Sequence, residues 1–340
     1  MTGYAAAVVI SVIDYNTIAK FWWLIGGAAL ALTIAVFFFG IQVAGTDDVG
    51  WLRLPGGMTF QPSELTKICF IITFSKHISW LSENDRLHRF SSVIALTAHA
   101  AVPVLLIHLQ GDDGAVLVFV CMFIIMCFAA GVQIRYFAAM SIGCAAALPL
   151  LWMWVLNDDQ KNRLIALFSS DDSMLQSYGW QQYQGKVSIA SGGLFGKGLF
   201  SGSRVESNIV PYQENDFIFT VAGEELGFIG CCAILLLFVL ILAFTFRTSA
   251  AACNTLGRMI CIGYFALLAS QLIVNLGMVL GLMPVVGITL PFFSSGGSSA
   301  ACLYLGAGLV QSVYMRRKNS ADIKVKAKNS TTVRENLSPA

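Results

Sequence analysis

Uninterrupted apolar stretches constrain the fold of this sequence more than any other feature. The clearest of them, residues 226–246, contains no charged residue. At about 1.5 Å of rise per residue, a helix of this length crosses a hydrocarbon core of about 30 Å. Only 12% of the chain is charged, compared with about 25% in soluble domains. The sequence therefore predicts an all-α, polytopic helical membrane protein.

The same pattern predicts about eight complete transmembrane helices and a partial N-terminal one. The partial helix is the apolar stub at residues 3–13, which is too short to span and lacks the features of a signal peptide. The expected spans are residues 21–45, 64–81, 92–109, 114–131, 136–156, 226–246, 259–283 and 297–315.

The basic residues of the short connections predict the orientation of the chain. If the spans alternate, these residues all lie on one side, which the positive-inside rule places in the cytoplasm. The protein is then a multi-pass membrane protein with a cytoplasmic C-terminus. Residues 1–318 form the membrane domain, the long loop 157–217 is extracytoplasmic, and residues 319–340 are a disordered cytoplasmic tail. The basic residues are Lys20, Arg86, Arg89, Arg135, Arg247, Arg258, Arg316, Arg317 and Lys318.

Several classes of function find no support in the sequence. The nine cysteines have neither a disulfide framework nor metal-ligand spacing, and none of them lies in the predicted outer loops. No nucleotide-binding loop or nucleic-acid motif is present, and no organic cofactor is expected.

A charged pair stands at the outer end of the second expected span. Glu64 and Lys67 are three residues apart and therefore share one face of a helix that Pro62 and Ser63 can begin. Two interpretations are open. The residues form a local ion pair that offsets the cost of burying both charges, or they line a polar cavity that opens to the outside.

Two outer segments have a binding interpretation and a plain one. Asp112 and Asp113 form a tight acidic turn that could bind a cation or be only a turn. The glycine-rich run 183–198 carries two lysines, so its backbone amides and ammonium groups could approach a phosphate, or it could be a flexible loop. Part of it, residues 187–200, could also dip into the membrane interface. The candidate binding residues in this run are Gln184, Lys186, Ser191, Gly192 and Gly193.

Three carboxylates lie just before the apolar stretch 226–246. Asp216 stands in a polar loop, and Glu224 and Glu225 follow at the start of the apolar stretch. Acids at the mouth of a membrane span are costly and indicate function. Eight residues of helix rise about 12 Å, too far for the carboxylate pair of about 5 Å in retaining glycosidases. A single acidic residue instead suits transfer from a donor whose leaving group, such as a diphosphate, is already stabilised.

Two features near the C-terminal spans are also polar or irregular. Gln271 and Asn275 lie one turn apart in an apolar span, where we expect them to make helix–helix hydrogen bonds. Residues 281–299 break the helical pattern at the outer face. Irregular backbone at that depth must line a cavity or be covered by protein.

Four of these segments together resemble the SEDS family (shape, elongation, division and sporulation), the RodA/FtsW/SpoVE group. Their order and spacing match over nearly the whole chain, from about Asp14 to Lys318. The segment Met-Pro-Val-Val-Gly-Ile at residues 283–288 favours the RodA branch. The segments are QPSELTK, YQGKVSIASGGLFGKG, NDFIFTVAGEELGFIG and NLGMVLGLMPVVGITLPFFSSGGSS.

The resemblance implies a ten-helix peptidoglycan glycosyltransferase that polymerises lipid II at the outer face of the bacterial cytoplasmic membrane. Its partners would be a class B penicillin-binding protein, which supplies the transpeptidase, and other membrane proteins of the divisome or elongasome. Asp216 falls on the family's catalytic aspartate, and Glu64 and Lys67 fall on its cavity carboxylate and lysine. This supports the cavity interpretation of that pair.

The implied reaction is an inverting glycosyl transfer. Asp216 takes the proton of an acceptor hydroxyl, the oxygen attacks the anomeric carbon of the donor, and undecaprenyl diphosphate leaves. Lys67, Lys186 and Arg163 are candidates to balance the diphosphate charge, with a divalent cation such as Mg²⁺ or Mn²⁺ as a candidate helper. Glu224 and the glycine-rich run are expected to contribute to substrate binding.

The sequence also departs from the family pattern. The first family helix is missing and the second is only a stub, so we expect either a start upstream of Met1 or a shortened form. A Pro-Asp-Leu-Gly turn is replaced by residues 111–114, and a Tyr-Gly-Gly by residues 295–297. Two alternative functions follow: a flippase or transporter of lipid-linked sugar, and a truncated, non-catalytic scaffold of a cell-wall synthesis complex.

Overall fold

The structure is a computed structural model that describes residues 2–42, 49–169 and 177–317. The predicted tail 319–340, the end of the expected span 21–45 and part of the expected loop 157–217 lie outside these residues. In chain order the described helices are α1 (Thr2–Val12), α2 (Tyr15–Lys20), α3 (Trp22–Phe39), α4 (Pro62–Glu83), α5 (Phe90–His108), α6 (Asp113–Ala130), α7 (Ile134–Leu150), α8 (Asp158–Ala166), α9 (Trp180–Ser191), α10 (Ser203–Glu206), α11 (Ile218–Ala251), α12 (Thr255–Val279) and α13 (Gly297–Met315), and a π-helical turn at Leu151–Val155 follows α7.

The predicted all-α membrane fold is confirmed. Six of the described helices are long and apolar enough to cross a membrane: α3, α5, α6, α7 with its π-helical turn, α11 and α12. The other two expected spans are also helices, the 22-residue α4 and the 19-residue α13. The N-terminal stub is the 11-residue helix α1, which packs against α13.

Helix α12 forms the centre of the bundle. Its most apolar window is 83% buried, and it packs against α4, α6, α11 and α13. A helix enclosed in this way is expected to be apolar all round, and the buried exceptions in this one are Ser270, Gln271 and Asn275. No residue of α7 is buried within the described protein, so α7 lies at the edge of the bundle.

Helix α12 ends earlier than the predicted span 259–283. Gly281 has φ of +71°. The Leu282 N–H donates to the Gly277 carbonyl and the Gly281 N–H to the Met278 carbonyl, which is a Schellman motif. The chain then runs without regular structure to α13, as the sequence predicted for this outer segment.

Three short strands between α3 and α4 were not predicted. They are β1 (Gly40–Ile41), β2 (Trp51–Arg53) and β3 (Thr59–Phe60). The sheet is antiparallel in the order β1-β2-β3, with Gly40 opposite Leu52 and Leu52 opposite Phe60. Strands of two or three residues are too short to give a periodic sequence signal.

The described part of the long loop 157–217 is largely helical. It contains α8, which begins with an Asn157–Gln160 capping box, and the helices α9 and α10. Helix α9 packs on α11 and α12. The loop therefore covers the end of the bundle at which α11 begins.

Candidate active site

Asp216 lies in the turn that leads into α11, and the side chain of Asn275 holds its main-chain carbonyl. The Asn275 side-chain amide donates to the Asp216 main-chain carbonyl at 2.7 Å and to the Ile288 carbonyl, also at 2.7 Å. Asn275 is fully buried, whereas Asp216 is half-buried. The prediction of a helix–helix role for Asn275 is wrong, because its partners lie in two connecting segments. This residue was missed as part of the site.

The segment after α12 also holds the site turn from the side. The Ser294 hydroxyl donates to the Asn215 carbonyl at 2.6 Å, and the Ser295 hydroxyl donates to the Asn215 side-chain oxygen at 2.6 Å. The Ser295 N–H donates to the Glu214 carbonyl. The turn before Asp216 is therefore held by hydrogen bonds to Ser294 and Ser295.

Gly287 places this same segment close to the Asp216 carboxylate. A Cβ atom built on Gly287 would lie 3.6 Å from Asp216 Oδ2, and the glycine has φ of +68°. The preceding residue contacts the start of α6, since a Cβ on Gly114 would lie 2.3 Å from the Val286 carbonyl oxygen. Two glycines thus bring the first turn of α6 and the carboxylate of Asp216 against one stretch of backbone.

Two of the predicted cations flank this stretch. Arg163 on α8 donates from Nη1 to the Val285 carbonyl at 3.3 Å. Lys186 on α9 is exposed, and its Nζ lies 2.9 Å from the position of a Cβ on Gly281. Both positive groups therefore border the 281–287 backbone that also contacts Asp216.

Glu224 is enclosed rather than open to a ligand. Its side chain has no exposed surface and pairs with Lys197 Nζ at 2.7 Å. It also accepts hydrogen bonds from the N–H groups of Arg204 at 3.0 Å and Val205 at 3.2 Å, at the start of α10. Both carboxylate oxygens are therefore engaged within the protein, which is a structural role and not the predicted cavity role.

Arg204 is a second residue of this region whose role was not predicted. Its Nε donates to the Ser188 hydroxyl at 2.9 Å and its Nη2 donates to Gln184 Oε1. Gln184 and Ser188 are four residues apart on α9 and so share one face. Gln184, a predicted binding residue, is buried and serves to hold Arg204.

The glycine-rich run packs onto a break in α11. Gly227 has φ of +67° and ψ of −167°, which interrupts the helix. Backbone groups of the run replace the lost helical hydrogen bonds. Lys197 and Gly198 N–H donate to the carbonyls of Glu224 and Glu225, and the Gly193 and Leu194 carbonyls accept from Phe228 and Ile229. A Cβ on Gly227 would lie 2.2 Å from the Gly196 nitrogen, so the approach requires glycine.

This packing engages the amides of Gly192, Gly193, Gly196, Lys197 and Gly198 within the protein. The N–H groups of Gly192 and Gly193 donate to the carbonyls of Ile189 and Ala190. The Ser191 hydroxyl donates to the Ser188 carbonyl at 2.8 Å. The described run thus packs on α11 within the protein. Substrate binding by Ser191, Gly192 and Gly193 stays a prediction.

Glu64 and Lys67 form the predicted pair on one face of α4. Lys67 Nζ lies 2.8 Å from Glu64 Oε1, with side-chain exposures of 3% and 9%. At such low exposure each charge is balanced by the other. The local ion pair is therefore present in the structure, and a role in a cavity open to the outside stays a prediction.

The acidic turn at Asp112 and Asp113 supports the plain interpretation. Asp112 Oδ1 accepts from the Ala115 N–H at 2.8 Å and so caps α6. Its Oδ2 accepts from Gln61 and Ser63 at the start of α4. Within the described residues no three His, Cys, Asp or Glu side chains converge on a point where they could hold a metal ion. Assistance by a divalent cation stays a prediction.

Asn275 gives a direct test of this construction. Replacing it with leucine removes one hydrogen bond from the Asp216 carbonyl and one from the Ile288 carbonyl, at about 0.5–1.5 kcal/mol each. We expect Asn275→Leu to lower the melting temperature and to reduce turnover at saturating substrate by about tenfold to 10²-fold through displacement of Asp216. Gln271→Met, one turn earlier, is the matched control, because the buried Gln271 Oε1 has no partner in the described protein. Equal turnover in both variants at a temperature where both are folded would contradict the positioning role.

The fold and the site define a class: a polytopic helical membrane protein that holds one carboxylate at the mouth of a broken membrane helix, under a helical loop. The family model "Cell cycle protein" of FtsW, RodA and SpoVE matches residues 1–319. The chain belongs to the FtsW/RodA/SpoVE family.

Relatives and solved structures agree with this assignment. The probable peptidoglycan glycosyltransferase FtsW of Geobacter sulfurreducens is 34% identical over 94% of this chain and 84% of its own length. The peptidoglycan glycosyltransferase MrdB of Escherichia coli K12 is 33% identical over 85% of this chain and 76% of its own length. A chain of a peptidoglycan synthase complex has a TM-score of 0.77 at 27% identity, covering 94% of this chain and 88% of its own. Thermus thermophilus RodA has a TM-score of 0.67 at 26% identity, covering 94% and 86%.

Proposed function

We propose that this protein is a peptidoglycan glycosyltransferase that polymerises lipid II into glycan strands by an inverting mechanism. Membership of the FtsW/RodA/SpoVE family and the activity printed for the FtsW and MrdB relatives support the reaction class. The observation that carries the proposal is the placement of Asp216. Its carboxylate is half-buried beside Gly287, and its main chain is clamped by Asn275.

Asp216 acts as the general base in this proposal. It accepts the proton of the acceptor sugar hydroxyl while that oxygen attacks the anomeric carbon of the donor, and the bond to the diphosphate breaks. Inversion follows from a single displacement. The enclosure of Glu224 supports the single-base scheme, because both of its carboxylate oxygens are engaged within the protein and are not available to form a glycosyl intermediate.

The departing diphosphate needs counter-charge. Lys186 and Arg163 are the better candidates, because both flank the backbone that contacts Asp216. Lys67 is the weaker candidate, since its charge is balanced by Glu64. No step in this scheme passes through a metal ion.

The basic connections support an orientation with the site outside the cell. Contacts join several of these connections into one end of the bundle: Arg258 donates to the Ala129 carbonyl at 2.8 Å, and Arg316 lies 3.8 Å from Asp14. Asp216 belongs to the opposite helix ends. The positive-inside rule then puts the C-terminal end of α13 in the cytoplasm and the 157–217 loop on the outside of the cytoplasmic membrane.

A class B penicillin-binding protein is the proposed partner, together with other divisome or elongasome membrane proteins. The support is the similarity to a chain of a synthase complex that coordinates polymerization and crosslinking. The helix α7, which has no buried residue in the described protein, offers apolar surface for such an interaction within the membrane.

Reconstitution with sided substrate tests the proposed function. Proteoliposomes receive lipid II only on the face that bears the 157–217 loop, as identified by protease protection. We expect glycan polymer without transfer of lipid II to the lumen. Translocation without polymer would establish the flippase alternative, and neither product, from protein that remains folded, would favour the scaffold.

A further inference from the structure

A groove on the lipid-facing side of α3, α4 and α5 lies apart from the Asp216 site. It consists of two adjoining cavities of about 320 Å³ and about 380 Å³ that share Trp22, Thr73 and His99 in their walls. Each volume falls in the range of about 300–1,000 Å³ that is typical of small-molecule and cofactor sites. The groove therefore has room for a ligand that the proposed reaction does not use.

The floor of the groove is a chain of polar groups. The Thr73 hydroxyl lies 3.2 Å from His99 Nε2 and 3.3 Å from the Phe70 carbonyl, and it can donate to either. His99 Nδ1 lies 3.1 Å from His77 Nδ1, so one of these two nitrogens donates to the other. In the tautomer in which His99 donates, His77 Nε2 carries an N–H that can bind an anion in the groove.

Lys76 adds a positive charge at the end of the groove that lies away from Asp216. It is half-buried, and it makes no ion pair within the described residues. Lys76 lies about 10 Å along the axis from the C-terminal end of α4, where the chain enters the basic connection of Arg86 and Arg89. Trp22 and Trp80 line the same cavity, at the depth where indole rings mark the membrane interface.

The other half of the groove is apolar and is deepened by two consecutive glycines. Gly26 and Gly27 on α3 face Val102 and Pro103 on α5 across the cavity. A Cβ on Gly27 would meet no atom within 4 Å. The absence of a side chain at Gly27 leaves a channel in which a hydrocarbon chain can lie against the helix.

We propose that this groove binds one anionic phospholipid. The headgroup phosphate contacts Lys76 and His77 Nε2, and an acyl chain runs along Gly26 and Gly27. A cation, a ring nitrogen and interfacial tryptophans at one end, continuous with an apolar channel, match the two parts of a phospholipid. Basic pockets between transmembrane helices on the cytoplasmic side bind anionic headgroups in this way.

Native mass spectrometry of the intact, detergent-purified protein tests the charged end. Phosphatidylglycerol and phosphatidylcholine are titrated separately against wild type, Lys76→Gln and the control Lys20→Gln. Lys20 is exposed at the same end of the bundle but outside the groove. We expect one phosphatidylglycerol bound in preference to phosphatidylcholine, and binding about fivefold weaker in Lys76→Gln, the effect of one basic side chain near anionic lipid. Equal binding of the two lipids, or unchanged phosphatidylglycerol binding in Lys76→Gln, would overturn the proposal.

A steric variant tests the apolar end independently. Gly27→Leu fills the channel, and Gly143→Leu places the same side chain on α7, where a Cβ also meets nothing within 4 Å. We expect only Gly27→Leu to lose the bound phosphatidylglycerol, with both variants keeping the wild-type melting temperature. Retention of the lipid in Gly27→Leu would refute the placement of the chain. Displacement of phosphatidylglycerol by inorganic phosphate alone would identify a soluble-anion site instead.

Discussion

Asp216→Asn is expected to abolish lipid II polymerisation, with a loss of about 10²–10⁴-fold, the usual contribution of a general base. Asparagine has the shape of aspartate but cannot accept the proton of the attacking hydroxyl. The fold should persist, because Asn275 holds the main-chain carbonyl at this position and not the side chain. The measurement is polymer formed from lipid II by purified protein, with the melting temperature of each preparation recorded alongside.

The matched control removes a different outer carboxylate. Glu206 is exposed at the end of α10, and Glu206→Gln changes the net charge by the same amount as Asp216→Asn. We expect Glu206→Gln to polymerise at the wild-type rate. If Asp216→Asn did so as well, the carboxylate would have no part in the chemistry and the assignment of the base would be wrong.

Hydropathy sufficed to predict the membrane helices. Each expected span lies on a helix because long apolar stretches have few alternatives to a helix in a bilayer. The sequence also singled out Asp216 as a candidate, since a carboxylate at the mouth of an apolar helix is costly, and its role as the base stays a prediction. The break at Gly227 was not predictable, because one glycine in an apolar stretch is compatible with a continuous helix.

The roles of the other polar residues depend on partners that are distant in the sequence. Asn275 donates a hydrogen bond to the carbonyl of a residue 59 positions away. Its spacing from Gln271 suggested a helix–helix contact instead, because a partner so distant in the sequence leaves no local pattern. The glycine-rich run suggested flexibility or phosphate binding for a similar reason. Its glycines allow close backbone contact with Gly223 and Gly227, and this contact exists only after the loop has folded onto α11.

Glu224→Gln is expected to lower the free energy of unfolding by about 3 kcal/mol, at the low end of the cost of removing one partner of a buried ion pair. The side chain of Glu224 is completely buried and holds Lys197 together with two N–H groups of α10. Glutamine keeps the size and one acceptor but not the charge, and Lys197 is itself about one-third exposed, which limits the loss. The readouts are thermal unfolding in detergent and hydrogen exchange of residues 193–206.

Glu225 supplies the matched control for this prediction. It is the adjacent carboxylate on the same helix and is also largely buried, but its side chain makes no hydrogen bond or ion pair within the described residues. We therefore expect Glu225→Gln to change the stability much less. Combining Glu224→Gln with Lys197→Met should recover part of the lost stability, because an ammonium group no longer remains beside an uncharged partner. Equal melting temperatures for Glu224→Gln and Glu225→Gln would mean that the loop is held on α11 by its backbone contacts alone.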